Sequence, residues 1–304
     1  MVDILIVGGG PAGLTAAIYA RRSGKSALVL EKAGFGGQIA YSPRVENYPG
    51  VGAVAGAALA EDMLTQALDQ GADTDIGTVT ALRPTADGWE AETEEGERYQ
   101  ARAVILAVGA EHRLLGLPGE EELVGNGVSY CAVCDGDFYA GRRVAVVGGG
   151  DSALQEALLL SDICEHVTVI HRRNTFRGEQ SHQDRLFGRP NVEVLTPYVV
   201  SELLSRDGEL CGLRLRSAGT GEERELTVDA VFVAMGRIPA TKELGGLLPL
   251  DAAGYAAVDE NCACPAPGLF VAGDCRAKNV RQLTTAVGDG ATAALAACRW
   301  LESR

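Results

Sequence analysis

Apolar positions in this chain fall mostly into short continuous runs, several of them closed by glycine. Asp3-Ile4-Leu5-Ile6-Val7 reads as a strand buried on both faces, as in a parallel sheet. Leu14 to Arg22 reads as a helix, and Ser26 to Leu30 as a second strand. An amphipathic helix is expected over Ala55 to Leu68, and short polar strands forming an antiparallel ribbon over residues 75–102. Ala103 to Val108 is another buried strand, closed by Gly109-Ala110. At Leu114 to Glu122 the texture becomes Pro, Gly and acid, as in a crossing between domains. The pattern then restarts. A strand at Val144 to Val147, a helix at Ser152 to Leu160 and a strand at His166 to Ile170 lead into a second ribbon, from about Val192 to Val228. A strand at Val231 to Ala234 ends in a second crossing at Met235-Gly236-Arg237-Ile238-Pro239. Residues 268–274 and a helix from about Thr285 to Leu301 close the chain.

Strand alternating with helix predicts an α/β fold, and 304 residues suit about two domains. The turns sharpen this. Gly8, Gly10 and Gly13 form G-x-G-x-x-G between strand and helix, with Pro11 and Ala12 inside it. One glycine makes a tight turn, one lets backbone approach a pyrophosphate, and one packs helix on strand. Glu31, at the end of the second strand, is placed to accept from ribose hydroxyls. Gly148, Gly150 and Ala153, with Asp151 and Ser152 between, repeat the turn. There the second strand ends without an acid and runs into His171-Arg172-Arg173, with Arg177 beyond. Arginines at that place suit a 2′-phosphate and select NADP over NAD.

Between the two units stands Cys131-Ala132-Val133-Cys134-Asp135. Such a pair can close a small disulfide or hold a metal, and Asp135 can move protons for thiols or cap a helix. A structural zinc needs two further ligands, and Cys262 and Cys264 have the wrong spacing for it, so no metal is expected. The long irregular segment from Gly34 to Gly50 carries Gln38 and Asn47, amides able to bond a polar heterocycle. Asp274, after Gly273, lies at a strand's carboxyl end, where a ribityl hydroxyl would meet it. Arg281-Gln282 opens the last helix.

Charge narrows the partners. With 27 basic and 41 acidic side chains the net charge is −14, against nucleic acid or an anionic membrane as partner. No basic leader precedes the first apolar strand, and no apolar run approaches a membrane span. A cytoplasmic location is expected, where structural disulfides are rare, so most of the eight cysteines are read as inert thiols.

The order of these motifs resembles bacterial-type, low-molecular-weight thioredoxin reductases along essentially the whole chain. The matching stretches are residues 8–13, 36–38, 45–50, 131–136, 148–153, 171–173 with Arg177, 273–274 and 281–282. The resemblance implies two Rossmann-like dinucleotide-binding domains, each three-layered with a parallel central sheet and an antiparallel ribbon. The NADPH domain, residues 114–241, would be inserted in an FAD domain made of residues 1–113 and 242–304. It implies a homodimer in which FAD is held by Gly8, Gly10, Pro11, Ala12, Gly13, Glu31, Gln38, Asn47, Gly109, Gly273, Asp274, Arg281 and Gln282. NADPH would be held by Gly148, Gly150, Asp151, Ser152, Ala153, His171, Arg172, Arg173, Arg177 and Gly236. Cys134 would face the flavin, Cys131 would exchange with thioredoxin or a thioredoxin-like protein, and Asp135 would be their general acid and base. The inserted domain would swivel about its crossings. Departures are Val133 where Thr is familiar, Pro239-Ala240-Thr241, and Tyr41-Ser42-Pro43-Arg44. Two rivals share the fold: a ferredoxin-dependent flavin thioredoxin reductase and a dithiol oxidase. A zinc-binding or redox-sensing interaction module is the rival of another class.

Overall fold

The computed structural model describes residues 1–42, 44–241 and 246–304. Pro43 of the unfamiliar loop and the expected domain junction at Lys242 lie outside the described residues. The chain forms two compact units: Met1–Glu111 with Ile238–Arg304, and His112–Arg237.

In chain order the first unit begins with β1 (Val2–Val7), α1 (Pro11–Arg22), β2 (Ala27–Glu31), α2 (Gly56–Asp69) and β3 (Asp73–Ile76). It continues with β4 (Val79–Pro84), β5 (Trp89–Thr93), β6 (Arg98–Leu106) and β7 (Ala110–His112), the last of which crosses into the second unit. That unit holds β8 (Val128–Ser129), α3 (Ala132–Asp135), β9 (Arg143–Val147), α4 (Asp151–Ile163), β10 (His166–Ile170), α5 (Gln180–Phe187) and β11 (Val192–Leu195). Strands β12 (Tyr198–Arg206), β13 (Glu209–Ser217), β14 (Glu223–Leu226) and β15 (Ala230–Val233) complete it. The return crossing is β16 (Arg237–Pro239), followed by β17 (Leu269–Val271) and α6 (Leu283–Glu302). The two crossing strands, β7 and β16, pair with each other.

Each unit is built on a parallel sheet. In the first the order is β3-β2-β1-β6-β5-β4, with β17 also paired to β6. Strand β6 explains the mixture. Its early residues pair antiparallel with β5 (Ala101 opposite Trp89), while Val104 to Leu106 pair parallel with β17, on the edge that β5 leaves. In the second unit β11-β10-β9-β15-β8 is parallel throughout, and β12-β13-β14 is a separate antiparallel sheet. The α/β, Rossmann-like reading of the sequence holds.

Two details differ from it. β3 and β11 are parallel edge strands paired to β2 and β10, not parts of the ribbons. A parallel neighbour needs a crossover, and here α2 and α5 supply it. The sequence reading had no helix at α5, whose only buried residue is Leu186. A helix so polar leaves little apolar periodicity to read.

Small residues let α6 lie close on α1. A Cβ on Gly290 would collide with the Ala12 carbonyl. Ala286, Ala293, Ala294 and Ala297 of α6 are buried in the same cluster as Leu14, Ala16 and Ala17 of α1.

Candidate active site

β1 delivers the chain to Gly8, whose N–H donates to the Leu30 carbonyl at 2.8 Å. Gly8 has φ +107°, which side chains resist, and a Cβ there would strike the Ala107 carbonyl. A Cβ on Gly13 would strike the Gly8 carbonyl. Gly10 is different: the nearest atom to a Cβ there is the Gly37 Cα at 3.8 Å, so its face stays open. Closed, open and closed are the three roles a dinucleotide turn requires. Pro11 begins α1, its fixed φ and missing N–H suiting the first helical position, and Ala12 is buried beneath it.

Glu31 is buried at the end of β2 and aimed at this turn. Its Oε2 accepts from the Gly9 N–H at 2.7 Å and its Oε1 from the Ala33 N–H at 3.2 Å. A carboxylate so fixed keeps lone pairs for further donors. The Gly273-Asp274 turn is brought to the same place, since a Cβ on Gly273 would lie 2.9 Å from the Ala12 Cβ. The Asp289 carboxylate anchors that turn by accepting from the Gly273 N–H at 3.1 Å. Asp274 Oδ1 lies 3.7 Å from the Lys278 Nζ. Gly109, with φ +72°, has open space where a Cβ would be.

Arg281 and Gln282 are engaged within the fold. The Arg281 guanidinium donates to the Asp274 and Arg276 carbonyls at 3.1 and 3.0 Å and lies 3.8 Å over the Tyr255 ring. Gln282 caps α6 through a reciprocal box with Thr285. Gln38 is exposed and donates to the Ala110 carbonyl, and Asn47 is exposed in the loop beyond.

In the second unit the same logic recurs. A Cβ on Gly148 would strike the Ala234 carbonyl, whereas nothing lies within 4 Å of one on Gly150. Ser152 is exposed on the first turn of α4 and Ala153 is buried under it. The loop after β10 is tied down at both ends. The Arg177 N–H donates to the Gly149 carbonyl at 2.8 Å, and the Asp151 carboxylate accepts from the Glu179 N–H at 2.7 Å. That last bond, with His182 beside it, holds the Asp151 carboxyl below its ordinary value. His171 is buried: its ring lies on Gly149, contacts the Thr175 carbonyl at 3.2 Å and stacks on Phe176. Burial and the surrounding arginines push its pKa down, so at neutral pH it shapes the loop as a neutral ring. Arg172, Arg173 and Arg177 are exposed, and no ion pair among the described residues engages them. Gly236 lies one residue before the end of this unit, its carbonyl accepting from the Arg113 N–H at 3.0 Å.

Cys131 and Cys134 form a disulfide at the first turn of α3, with Cys131 half-buried and Cys134 exposed. Asp135 caps no helix with its side chain. Its carboxylate instead accepts from the Ser129 hydroxyl at 2.6 Å, and the same hydroxyl oxygen accepts from the Cys131 N–H at 3.1 Å. Burial raises the Asp135 pKa and the Ser129 bond opposes it. A carboxyl raised above its ordinary value and wired to the backbone of one cysteine suits proton transfer for thiols. The stretch leading here is pinned by Glu120, which is buried and accepts from the Leu115 and Gly116 N–H groups, both at 2.8 Å, and from the Tyr130 hydroxyl at 3.0 Å.

Sequence reasoning missed Ser129, Glu120 and Glu156, an acid of α4 that faces the Ala132 N–H. Ser129 had a signal, standing two residues before a cysteine pair. The other two are acids in ordinary surroundings until the fold buries them.

Comparison with known proteins agrees with this geometry. Residues 2–290 match the family model described as pyridine nucleotide-disulphide oxidoreductase. The chain is 42% identical over 302 residues to a thioredoxin reductase of Listeria monocytogenes, covering 99% of this chain and 94% of that protein. It is 40% identical over 302 residues to that of Bacillus subtilis, covering 99% and 95%. The crystal structure of thioredoxin reductase from Streptococcus pyogenes superposes with a TM-score of 0.95 at 39% identity, covering 100% of this chain and 99% of that one. With two glycine turns of matching design, a CxxC disulfide beside an acid, and relatives aligned from end to end, the chain belongs to the thioredoxin reductases of the pyridine nucleotide-disulphide oxidoreductase family.

Proposed function

We propose that the protein uses NADPH and FAD to reduce the disulfide of thioredoxin or a thioredoxin-like protein. The observation that carries this is the Cys131–Cys134 disulfide beside Asp135, in the same unit as a glycine turn flanked by three exposed arginines that no ion pair among the described residues engages. Those arginines also favour NADPH over ferredoxin as the electron donor.

The residues fit both groups. Gly10 and Gly150 leave open the faces that a pyrophosphate would approach, while Gly8, Gly13 and Gly148 are closed by backbone. Gly8, Gly10, Pro11, Ala12, Gly13, Glu31, Gln38, Asn47, Gly109, Gly273, Asp274, Arg281 and Gln282 are assigned to FAD, with Arg281 and Gln282 acting by ordering the start of α6. Gly148, Gly150, Asp151, Ser152, Ala153, Gly236 and the three arginines are assigned to NADPH, with Asp151 and His171 shaping the loop that carries them. Residues 1–113 with 242–304 are accordingly the FAD domain, and 114–241 the NADPH domain with the redox centre. FAD, when bound, supplies acceptance of a hydride from NADPH and two-electron donation to a disulfide.

The chain's own residues do the rest. Opening the disulfide leaves Cys131 as the thiolate that attacks the partner's disulfide, and Cys134 resolves the mixed disulfide. Asp135 holds and moves the proton at these sulfurs, with the Ser129 hydroxyl fixing its carboxylate by donating to it. The redox disulfide and the NADPH turn share one unit and must serve one flavin in turn, so turnover requires the units to rearrange. A homodimer in the cytoplasm is the assembly and location proposed. No helix among the described residues is long and apolar enough to cross a membrane.

Anaerobic titration of the holoenzyme with NADPH tests this reading. Uptake of four electrons per subunit, falling to two in Cys134→Ser, is expected; two in the unaltered protein would sink it. Rapid NADPH oxidation in air without thioredoxin would also count against it.

A further inference from the structure

α4 packs against the CxxC turn, and one of its acids has no place in the mechanism above. The Glu156 Oε2 is buried with no hydrogen-bond partner among the described residues. The carboxyl faces the N–H of Ala132, the residue next to Cys131 and the first of α3. A buried acid is normally satisfied on both oxygens, and an orphaned oxygen is more easily tolerated when it carries a proton. Burial is the largest influence on this group and lifts its pKa to about 7, against the Ala132 N–H and Arg237, which favour the charged form. The other titratable or charged side chains on the elements packed against α4 are Asp135, Asp137, Arg143, His166, His182, Asp184 and Arg185, with Tyr139. None of them bears on the carboxyl, which leaves Arg237 as its one charged influence among the described residues.

We propose that Glu156 is a positioning residue for the Cys131–Cys134 couple, a proton store that fills when negative charge forms on the Cys131 sulfur and empties when that charge is consumed. The idea rests on the reading of this pair as the enzyme's redox couple. Two electrons, delivered from NADPH by the enzyme's activity, break the Sγ–Sγ bond and leave two thiolates. A thiolate at Cys131 and a carboxylate at the adjoining amide repel, so an ionised Glu156 takes a proton from solvent as the sulfur charge appears. When the Cys131 thiolate attacks the partner disulfide, its charge passes to the departing partner sulfur. Glu156 then returns its proton. The carboxyl touches neither sulfur in this scheme and acts through the charge it holds.

The test is the pH profile of Cys131 alkylation in NADPH-reduced holoenzyme, wild type against Glu156→Gln, with the modified cysteine mapped by mass spectrometry. The wild type is expected to show one more ionisation coupled to Cys131 than Glu156→Gln, with the thiolate fraction near pH 7 raised about tenfold in the variant through loss of the neighbouring charge. Coincident profiles in two folded, flavin-loaded proteins overturn the proposal. Failure of Cys131 to react at all in the reduced wild type overturns the redox couple and the proposal with it, which separates the two failures. Should Glu156→Gln not fold, infrared difference spectra of wild type with carboxyl-labelled glutamate decide the matter. A protonated glutamic acid band growing on reduction near neutral pH supports the proton store, and an unchanged band overturns it.

Discussion

Replacing Arg173 and Arg177 together by Ala isolates what the loop after β10 contributes. Both side chains are exposed, and no ion pair among the described residues holds either of them. The loop is fixed instead by backbone and by other side chains: the Arg177 N–H on the Gly149 carbonyl at 2.8 Å, the Glu179 N–H on Asp151 at 2.7 Å, and His171 beneath. Truncation therefore removes no side-chain hydrogen bond or ion pair among the described residues, and stability should change by no more than about 0.5 kcal/mol, as for ordinary surface sites. The effect on ligand is larger. A hydrogen bond to a charged group is worth about 1.5–3 kcal/mol when sheltered. At a site this open, solvent screening lowers that to about 1–2 kcal/mol per arginine. Two together give roughly 30- to 1,000-fold. The expected result is a rise of that size in KM for NADPH, with kcat for thioredoxin reduction and KM for NADH almost unmoved. The difference should shrink as salt is added, because the lost term is electrostatic. Steady-state kinetics with both nucleotides at two ionic strengths measure all of this. An unchanged KM for NADPH, or an equal rise for NADH, refutes the assignment of these arginines to a 2′-phosphate.

Three further outcomes follow from the geometry. Asp135→Asn is expected to lower thioredoxin turnover by at least about 10²-fold, the usual share of a general acid–base group, while NADPH reduction of the flavin proceeds; stopped-flow absorbance separates the two. Because the carboxyl of Glu156 is raised from 4.5 to about 7, it contributes stability that is complete below its unfolded value and is lost as pH rises through 7, about 3 kcal/mol in all. The thermal midpoint of Glu156→Gln should therefore gain on that of wild type between about pH 5 and 8, and parallel curves would contradict this. Gly290→Ala drives a methyl into the Ala12 carbonyl, backbone against side chain with no slack, and should cost about 1–3 kcal/mol or more together with flavin retention. Tm and the flavin-to-protein absorbance ratio report it.

Much of this site was legible in the sequence because the residues that touch a dinucleotide are spaced by the strand–turn–helix itself. Gly8, Gly10 and Gly13 must stand where they do once β1 ends at Val7, and Glu31 must follow once β2 ends there. What stayed hidden was set by tertiary burial. His171 read as one of a basic run, yet its ring is turned under Gly149 while the arginines beside it point to solvent. Glu156 drew no notice in the sequence, and only the packing of α3 on α4 makes it unusual. Strands β3 and β11 look polar and ribbon-like because edge strands are half-exposed, and their parallel partners are distant in sequence.

The interrupted first unit also dictates an order of events on the ribosome. The second unit is continuous and can close its sheet as soon as β15 is made. The first unit cannot. Until β17 emerges, the stretch of β6 from Val104 to Leu106 presents an open hydrogen-bonding edge, and α1 lacks the alanine-rich face of α6. Its earliest-made strands therefore wait, partly uncovered, for the last-made ones, through the synthesis of an entire domain. That is the period in which an unpaired strand edge is most exposed to foreign pairing. The pairing of β7 with β16 shortens the search that ends it, because joining the two crossings brings the returning chain back to where β6 left off.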